Sequence, residues 1–219
     1  MSHKEQYHKT MDNTEQILKE YQSPINKYLK IVKKGNKKLL NTKYANYSYG
    51  TLVDVLEYGL DSIPLNNVSS VLLLGFGGGS IIESLRKKYD CHAPVVAVDI
   101  DPLIIDIARD EFDVKPNKLL EIHCMDAWDY IEKTNTQFDL IIVDIYIDMK
   151  VPKKFYKPQF WEMLSKNVTQ NGFVLFNAGI DLFKYKVRNF VRKLPDSFVY
   201  QKNYNILYSN TVIIMQKIT

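Results

Sequence analysis

Cysteine, long apolar runs and an apolar leader are scarce or missing in this sequence, and each shortage excludes a class of protein. The 219 residues include two cysteines, Cys91 and Cys124, too few for a disulfide framework or a cysteine-rich metal site. Both lie beside apolar segments, so we expect buried, reduced thiols. No apolar run approaches the ~18 residues that a membrane span needs, and the polar start is unlike a signal peptide. The sequence therefore predicts a cytoplasmic protein without a membrane span, a disulfide or a metal ion.

Positive charge is unevenly distributed along the chain. The net charge is +4, yet residues 1–43 hold ten lysines against four acids, which leaves −2 for the remainder. Such a basic region could attract RNA or an acidic partner. No alternation of aromatic and basic residues accompanies it. We therefore interpret it as a solvated surface and do not expect nucleic acid as a partner.

The first part of the chain, residues 1–49, is predicted to form a small unit of its own. After a disordered start, residues 12–22 are compatible with a short helix. The alternating segment 28–32, followed by a turn at Gly35 and a second segment, predicts a β-hairpin. A helix at about 50–61 then opens the second predicted domain, residues 50–219.

From Val68 onward, strands and helices alternate, which is typical of a doubly wound α/β domain with a mostly parallel sheet. The predicted strands are 71–74, 94–98, 120–123, 139–143, 172–177, 198–201 and 206–216. The predicted helices are 80–88, one that starts at 101–102, 127–133, 158–167 and 181–194. The last two strands are joined by a turn at 202–205 that is too short for a crossover helix, so at least one is antiparallel. The sequence thus predicts a seven-stranded, Rossmann-like sheet that ends in an antiparallel hairpin.

The first strand of this domain runs into a glycine-rich turn, Gly75-Phe76-Gly77-Gly78-Gly79-Ser80. Glycines let the backbone approach a ligand, and amides at the start of the next helix can donate hydrogen bonds. Such a turn can also simply pack a strand against a helix. Asp99 ends the second strand, 24 residues beyond Gly75, where a carboxylate can accept both hydroxyls of a ribose. Together these features predict a nucleoside site.

Two more acids end predicted strands at the same edge of the sheet. Asp126, followed by Ala127, could accept a hydrogen bond from the exocyclic amine of adenine or could cap a helix, and we favour the adenine role. Asp144 ends an apolar strand, where a carboxylate without partners is costly, so we expect it to face the cleft. Asp101, in contrast, is explained as the N-cap of the helix that begins at Pro102.

S-adenosylmethionine and NAD are the two cofactors that fit these residues. The dinucleotide pattern would require glycine at position 80, where Ser80 stands. Asp126 and the terminal antiparallel pair are also not required by a dinucleotide fold. We therefore predict S-adenosylmethionine.

These residues resemble the spermidine synthase-like branch of the class I S-adenosylmethionine-dependent methyltransferases. The resemblance covers about residues 27–177 and rests on the segments 71–80, 98–102, 126–130 and 138–144. It implies that the glycines contact the methionine part of the cofactor, that Asp99 holds the ribose and that Asp126 reads adenine. It also implies a homodimer formed through the N-terminal β-structure. The predicted cofactor-binding residues are Gly75, Phe76, Gly77, Gly78, Gly79, Asp99, Ile100, Asp126, Ala127 and Asp144.

Two positions depart from the family's pattern. Its aminopropyltransferases carry an aspartate where Gly78 stands, and that acid pairs with the cationic end of decarboxylated S-adenosylmethionine. An aspartate there would repel the carboxylate of the intact cofactor, so Gly78 favours the intact form. Ile147 stands where the family places the acid that takes a proton from the attacking amine, and Asp148 follows one residue later.

We therefore expect a methyltransferase that acts on a small-molecule acceptor. In-line displacement at a sulfonium methyl needs alignment and, for a protonated nucleophile, a base. Asp144 or Asp148 would be that base. Tyr146 would position the acceptor, although it could equally pack on the glycine turn. The alternatives are a spermidine synthase-type aminopropyltransferase and, because Ile147 replaces the family acid, a catalytically silent cofactor-binding interaction protein.

Overall fold

A four-stranded antiparallel sheet precedes the α/β domain in the computed structural model, which describes residues 15–43, 46–148, 150–179, 184–207 and 210–219. Its strands are β1 (Gln16–Ser23), β2 (Lys27–Lys34), β3 (Lys37–Thr42) and β4 (Asn46–Ser48), in that spatial order. The predicted hairpin corresponds to β2 and β3. The helix predicted over 12–22 is wrong, because β1 pairs with β2 along most of its length, and such pairing overrides local helix propensity.

The second sheet has seven strands in the order β10-β11-β9-β8-β5-β6-β7, and this confirms the predicted fold. Strand β11 runs antiparallel to β9 and β10, and the other neighbouring strands are parallel. The strands are β5 (Val71–Leu74), β6 (Val95–Asp99), β7 (Leu120–Cys124), β8 (Phe138–Val143), β9 (Val168–Asn177), β10 (Phe198–Ile206) and β11 (Asn210–Lys217). The helices are α1 (Thr51–Leu60), α2 (Ser80–Lys87), α3 (Pro102–Phe112), α4 (Ala127–Lys133), α5 (Pro158–Lys166) and α6 (Lys184–Val191).

Strand β5 lies at the centre of this sheet and is buried on both faces. Successive side chains of a strand point to opposite faces. Accordingly, Leu72 and Leu74 join one apolar cluster, which includes Trp161, whereas Val71 and Leu73 join the other. The chain moves from β5 outward through β6 and β7, and then returns to the other side through β8 and β9. Ligands of such sheets bind beyond the strand ends where the order reverses, which here lies between β5 and β8.

Two local predictions for this domain are wrong. The turn expected at 202–205 lies inside β10, which runs on to Ile206 with a register irregularity between Asn203 and Ile206. Cys124 is exposed rather than buried, because it ends β7 at the edge of the sheet, whereas Cys91 is buried. Both thiols are free.

The sequence also led us to expect no membrane span, no metal site, a disordered start and a helix from residue 181. Within the described ranges, no helix is long and apolar enough to cross a bilayer. The same residues contain no group of three or more His, Cys, Asp or Glu side chains that could hold a metal ion. The disorder expected for the first dozen residues lies outside the described part, as do the first residues of the helix expected from 181.

Asp101 connects the two sheets. It is fully buried at the start of α3, where its Oδ1 caps the helix by accepting from Leu103 N at 3.1 Å, as predicted. Its Oδ2 accepts from Asn26 Nδ2 at 2.8 Å and from the Ser23 hydroxyl. Ser23 ends β1, and Asn26 lies in the turn that follows. An apolar contact adds to this link, formed by Leu29, Ile31, Leu40, Ile104 and Ile107.

We expect Asp101→Ala to lower the free energy of unfolding by about 3 kcal/mol, since it removes a helix cap and leaves buried donors unpaired. Urea unfolding measures this change. Asp106→Ala on the same helix is the control, because Asp106 is exposed and its ion pair with Arg109 lies on the surface. That variant should lose less than about 1 kcal/mol. Equal losses in the two variants would contradict the role given to Asp101.

Candidate functional site

A cleft of about 90 Å³, partly open to solvent, lies at the strand ends predicted to bind a ligand. Among the residues predicted from the sequence, six line it: Gly75, Asp99, Ile100, Asp126, Ala127 and Tyr146. The sheet topology therefore brings residues from four separate segments to one cavity.

The glycine turn is held close to the end of β8. Gly75 has φ +92°, and a Cβ atom added there would lie 2.1 Å from the Asp144 carbonyl oxygen. Gly77 and Gly79 also have positive φ, at +56° and +81°, a conformation that glycine adopts without strain. Phe76 places its side chain in the core, 2% exposed, so only its backbone is available to a ligand. Of the five predicted turn residues, Gly75 is the one that lines the cleft.

Asp99 organises this turn from the end of β6. Its Oδ2 accepts from Phe76 N and Gly77 N, each at 3.1 Å, and its Oδ1 accepts from Asp101 N at 3.0 Å. Burial raises the pKa of Asp99 to about 6, although these amide donors oppose the increase. Two turn amides expected to face a ligand are thus used by Asp99. The ribose role of its carboxylate stays a prediction.

Asp126 caps α4. Its Oδ1 accepts from Trp128 N at 2.8 Å, and its Oδ2 is paired with the ammonium of Lys154. Lys154 also lines the cleft and was not anticipated from the sequence. The structure therefore shows the helix-cap alternative for Asp126, and its adenine role stays a prediction.

Asp144, which we expected to face the cleft, is not among the residues that line it and belongs to a polar network next to it. Asn177 Nδ2 donates to Asp144 Oδ1 at 2.9 Å, and Asn177 Oδ1 accepts from the Tyr146 hydroxyl at 2.9 Å. Asn210 Nδ2 donates to the same Asn177 oxygen, also at 2.9 Å. Burial raises the pKa of Asp144 to about 7, and the Asn177 donor lowers it. Burial and the nearby Asp144 charge raise the pKa of Tyr146 well above its ordinary value. Asp144 is thus a carboxylate that can exchange a proton near neutral pH.

Asp148, the other predicted base, points to the N-terminal sheet. Its Oδ1 accepts from Thr42 Oγ1 at 2.6 Å, and its backbone N lies 3.4 Å from Asn26 Oδ1. Like Asp144, Asp148 does not line the cleft, whereas the preceding Ile147 does. The two predicted bases therefore have different partners: Thr42 for Asp148 and Asn177 for Asp144.

Besides Lys154, sequence reasoning missed two residues of the polar network around Asp144, namely Asn177 and Asn210. Asn177 is the last residue of β9 and comes after an apolar run, just as Asp99 ends β6, and this signal could have identified it. Asn210 carries no such signal. It reaches the network because β11 pairs antiparallel with β9, with Val212 opposite Asn177.

Gly78 lies against β4 and the residue after it. A Cβ atom on Gly78 would lie 2.9 Å from Ser48 Oγ and 3.0 Å from Tyr49 Cε2. Tyr49 is fixed by stacking on Phe112 at a ring distance of 4.2 Å, and its buried hydroxyl has no partner among the described residues. The turn therefore has no space for an acidic side chain at position 78 as the chain is now packed.

The sheet order and the cleft at its switch point define the class: the chain has the Rossmann-like methyltransferase fold. A family model described as the spermine/spermidine synthase domain matches residues 55–216, well over half of the chain. The chain belongs to the spermine/spermidine synthase family. The resemblance predicted from the sequence is thereby confirmed.

Curated relatives carry aminopropyltransferase names. The chain is 26% identical over 115 residues to a "Probable polyamine aminopropyl transferase" of Bifidobacterium longum, covering 52% of this chain and 25% of the relative. It is 24% identical over 159 residues to a "Polyamine aminopropyltransferase" of Buchnera aphidicola, covering 67% and 54%. The chain thus spans between a quarter and about half of these relatives' length.

Solved structures with the same fold include both kinds of transferase. A probable spermidine synthase from Corynebacterium glutamicum superposes with a TM-score of 0.73 at 14% identity, covering 93% of this chain and 80% of that one. A spermidine synthase in complex with the transition-state analogue AdoDATO gives 0.65 at 15%, covering 92% and 72%. Human methyltransferase-like protein 13 in complex with SAH gives 0.59 at 19%, covering 77% and 82%. At these identities the likeness supports the fold alone.

Proposed function

We propose that this protein transfers the aminopropyl group of decarboxylated S-adenosylmethionine to an amine. This replaces methyl transfer, which we expected from the sequence, as the first choice. Membership of the spermine/spermidine synthase family and the names of the curated relatives support it. The structural observation that carries it is Asp144, a carboxylate with a pKa near 7 beside the cleft.

The reaction requires a neutral amine and a proton acceptor. The amine nitrogen attacks the propyl carbon next to the sulfonium, so that a C–N bond forms while the C–S bond breaks. The electron pair of the broken bond goes to sulfur, which leaves 5′-methylthioadenosine. Asp144 takes the proton that the attacking nitrogen loses, and a base with a pKa near the working pH is efficient in this step.

The cleft is proposed to bind the adenosyl part of the donor. Asp99 would accept hydrogen bonds from the ribose and Asp126 from adenine, as expected from the sequence. In support, two solved structures with this fold were obtained in complex with AdoDATO or SAH. The exocyclic amine of adenine would have to reach the Asp126 carboxylate, which already forms an ion pair with Lys154.

Methyl transfer from intact S-adenosylmethionine is the second candidate, and the crowding at Gly78 favours it. An acid that pairs with the cationic tail of the decarboxylated donor cannot enter there without displacing Ser48 or Tyr49. Without that acid, the carboxylate of the intact donor meets no repulsion from position 78.

The leaving product distinguishes the candidates. The full chain is incubated with putrescine or a monoamine and with either donor, and products are quantified by mass spectrometry. Methylthioadenosine formed only from the decarboxylated donor supports the proposal. S-adenosylhomocysteine formed from the intact donor would replace it with methyl transfer. If calorimetry detects binding of either donor but no product forms, the result would favour the third hypothesis, a catalytically silent cofactor-binding interaction protein.

The pH profile tests the assignment of Asp144 as the base. We expect kcat at saturating donor and acceptor to fall below about pH 7, because the carboxyl pKa is raised and the protonated acid cannot accept a proton. An ordinary carboxyl would place this acid limb near pH 4. Initial rates of methylthioadenosine formation from about pH 5 to about pH 9 locate the limb. A limb near pH 4 would exclude Asp144 as the base.

The homodimer and the cytoplasmic location also remain proposals. Strand β1 is an edge of the N-terminal sheet and exposes Ile17 and Leu18, at 51% and 43%. An edge strand of this kind offers unpaired backbone groups to a second copy. Light scattering on the purified protein measures its mass in solution.

A further inference from the structure

Asn210 is buried at the start of β11, next to the reaction site but outside the cleft wall. Its side chain is 5% exposed. Its Nδ2 lies 2.9 Å from Asn177 Oδ1 and 3.4 Å from the Tyr146 hydroxyl. The hydrogen bonds described for Asn210 run to Asn177, at 2.9 Å, and to Tyr146, at 3.4 Å, and Asn177 is the one of the two that donates a hydrogen bond to Asp144.

Asn177 has a carboxamide whose two ends are chemically different. Its oxygen only accepts hydrogen bonds and its nitrogen only donates them. The oxygen receives Tyr146 OH and Asn210 Nδ2, and the Gly179 backbone amide lies 3.4 Å from it. The nitrogen is therefore directed at Asp144 Oδ1, 2.9 Å away. If the Asn177 carboxamide rotated by 180°, its NH2 group would face the NH2 group of Asn210. Its oxygen would then face the Asp144 carboxylate, and both contacts would be repulsive.

We propose that Asn210 is a positioning residue, which fixes the orientation of the Asn177 carboxamide and thereby keeps Asp144 an ionised proton acceptor. A donated hydrogen bond stabilises the charged form of a carboxylate. This inference rests on the proposed function only where it calls Asp144 the base of the reaction. The orientation of Asn177 is a property of the unliganded protein.

The surroundings of Asp144 leave this hydrogen bond as its main polar support. The glycine turn contributes backbone, since the Asp144 carbonyl abuts Gly75. The loop after β8 contributes the Tyr146 phenol, with the Tyr156 phenol nearby. Strand β9 contributes Asn177. In the described part of the chain, no lysine or arginine forms an ion pair with Asp144, so the loss of one hydrogen bond should be measurable.

The test is the titration of Asp144 in the unliganded protein by carboxyl carbon NMR, with its signal identified by comparison with Asp144→Asn. In Asn210→Leu, we expect the pKa of Asp144 to rise by about one or more, the effect of one lost hydrogen bond to a charged group. Asn203→Leu is the matched control. Asn203 lies in the same terminal hairpin, and its Nδ2 is buried without a partner in the described part. That variant should leave the pKa of Asp144 unchanged.

Two results would overturn the proposal: an unchanged pKa in folded Asn210→Leu, or an equal rise in Asn203→Leu. Thermal unfolding verifies that each variant is folded, and Asn210→Ala replaces the leucine variant if leucine does not fit. The titration needs neither donor nor acceptor, so failure of aminopropyl transfer would not affect it. Where turnover is present, the acid limb of kcat at saturating acceptor should move with the pKa while the donor KM stays constant.

Discussion

Asp144→Asn should reduce turnover by about 10²–10⁴-fold, the usual contribution of a general base, while donor affinity changes little. The substitution keeps the shape of the side chain and removes its ability to take a proton. Asn177 can still hydrogen-bond to the new amide oxygen, so the local packing is retained. Single-turnover rates of methylthioadenosine formation, together with calorimetry of donor binding, separate chemistry from binding.

Asp148→Asn is the matched control for this prediction. Its carboxylate is engaged by Thr42 on β3 and does not line the cleft. Turnover should stay within about threefold of the wild type, as for most substitutions away from the chemistry. A large loss in Asp148→Asn with little change in Asp144→Asn would reverse the two assignments and restore the base suggested by the family's loop pattern.

Gly75→Ala should abolish detectable donor binding and lower the free energy of unfolding by about 2–5 kcal/mol, from left-handed backbone strain and overpacking. The added Cβ would stand 2.1 Å from the Asp144 carbonyl oxygen, a backbone atom at the end of β8. Because Asp144 directly follows β8 and its backbone N donates to Leu74 O at 2.8 Å, this carbonyl cannot move aside without disturbing the strand end. Urea unfolding and donor calorimetry measure the two effects.

Gly35→Ala separates backbone strain from this collision. Gly35 also has positive φ, +57°, but a Cβ atom there meets nothing within 4 Å. The cost should be about 1–2 kcal/mol, with donor affinity unchanged. If both alanine variants lost the same stability and bound the donor equally well, the close approach of Gly75 to the end of β8 would not be required for stability or for donor binding.

The α/β domain was predictable because its signals are local. Strand β5 is a continuous apolar run that ends in glycines, and Asp101-Pro102 starts a helix as its chemistry dictates. The start of the N-terminal sheet was not predictable, because residues 16–22 have ordinary helix propensity and become a strand only through pairing with β2. The exposed Cys124 likewise depends on β7 being an edge strand, which no local pattern reveals.

The site was predictable in part, for the same reason. Acids that end apolar strands identified the cleft, and Asp99 and Asp126 do line it. What those carboxylates contact was not readable, because their partners come from other segments: turn amides for Asp99 and Lys154 for Asp126. Asn210 was beyond reach, since only the antiparallel pairing of β11 places it beside Asn177.

The contact between Gly78 and the end of β4 has a consequence for how donor preference can change during evolution. Gly78→Asp alone would bring its Cβ to 2.9 Å from Ser48 Oγ and 3.0 Å from Tyr49 Cε2. The aspartate becomes tolerable only after Ser48 or Tyr49 has been replaced or has moved. Under the proposed role of position 78, donor preference would depend jointly on two segments that are distant in the sequence, because an aspartate in the glycine turn requires a compensating shift or replacement at Ser48 or Tyr49.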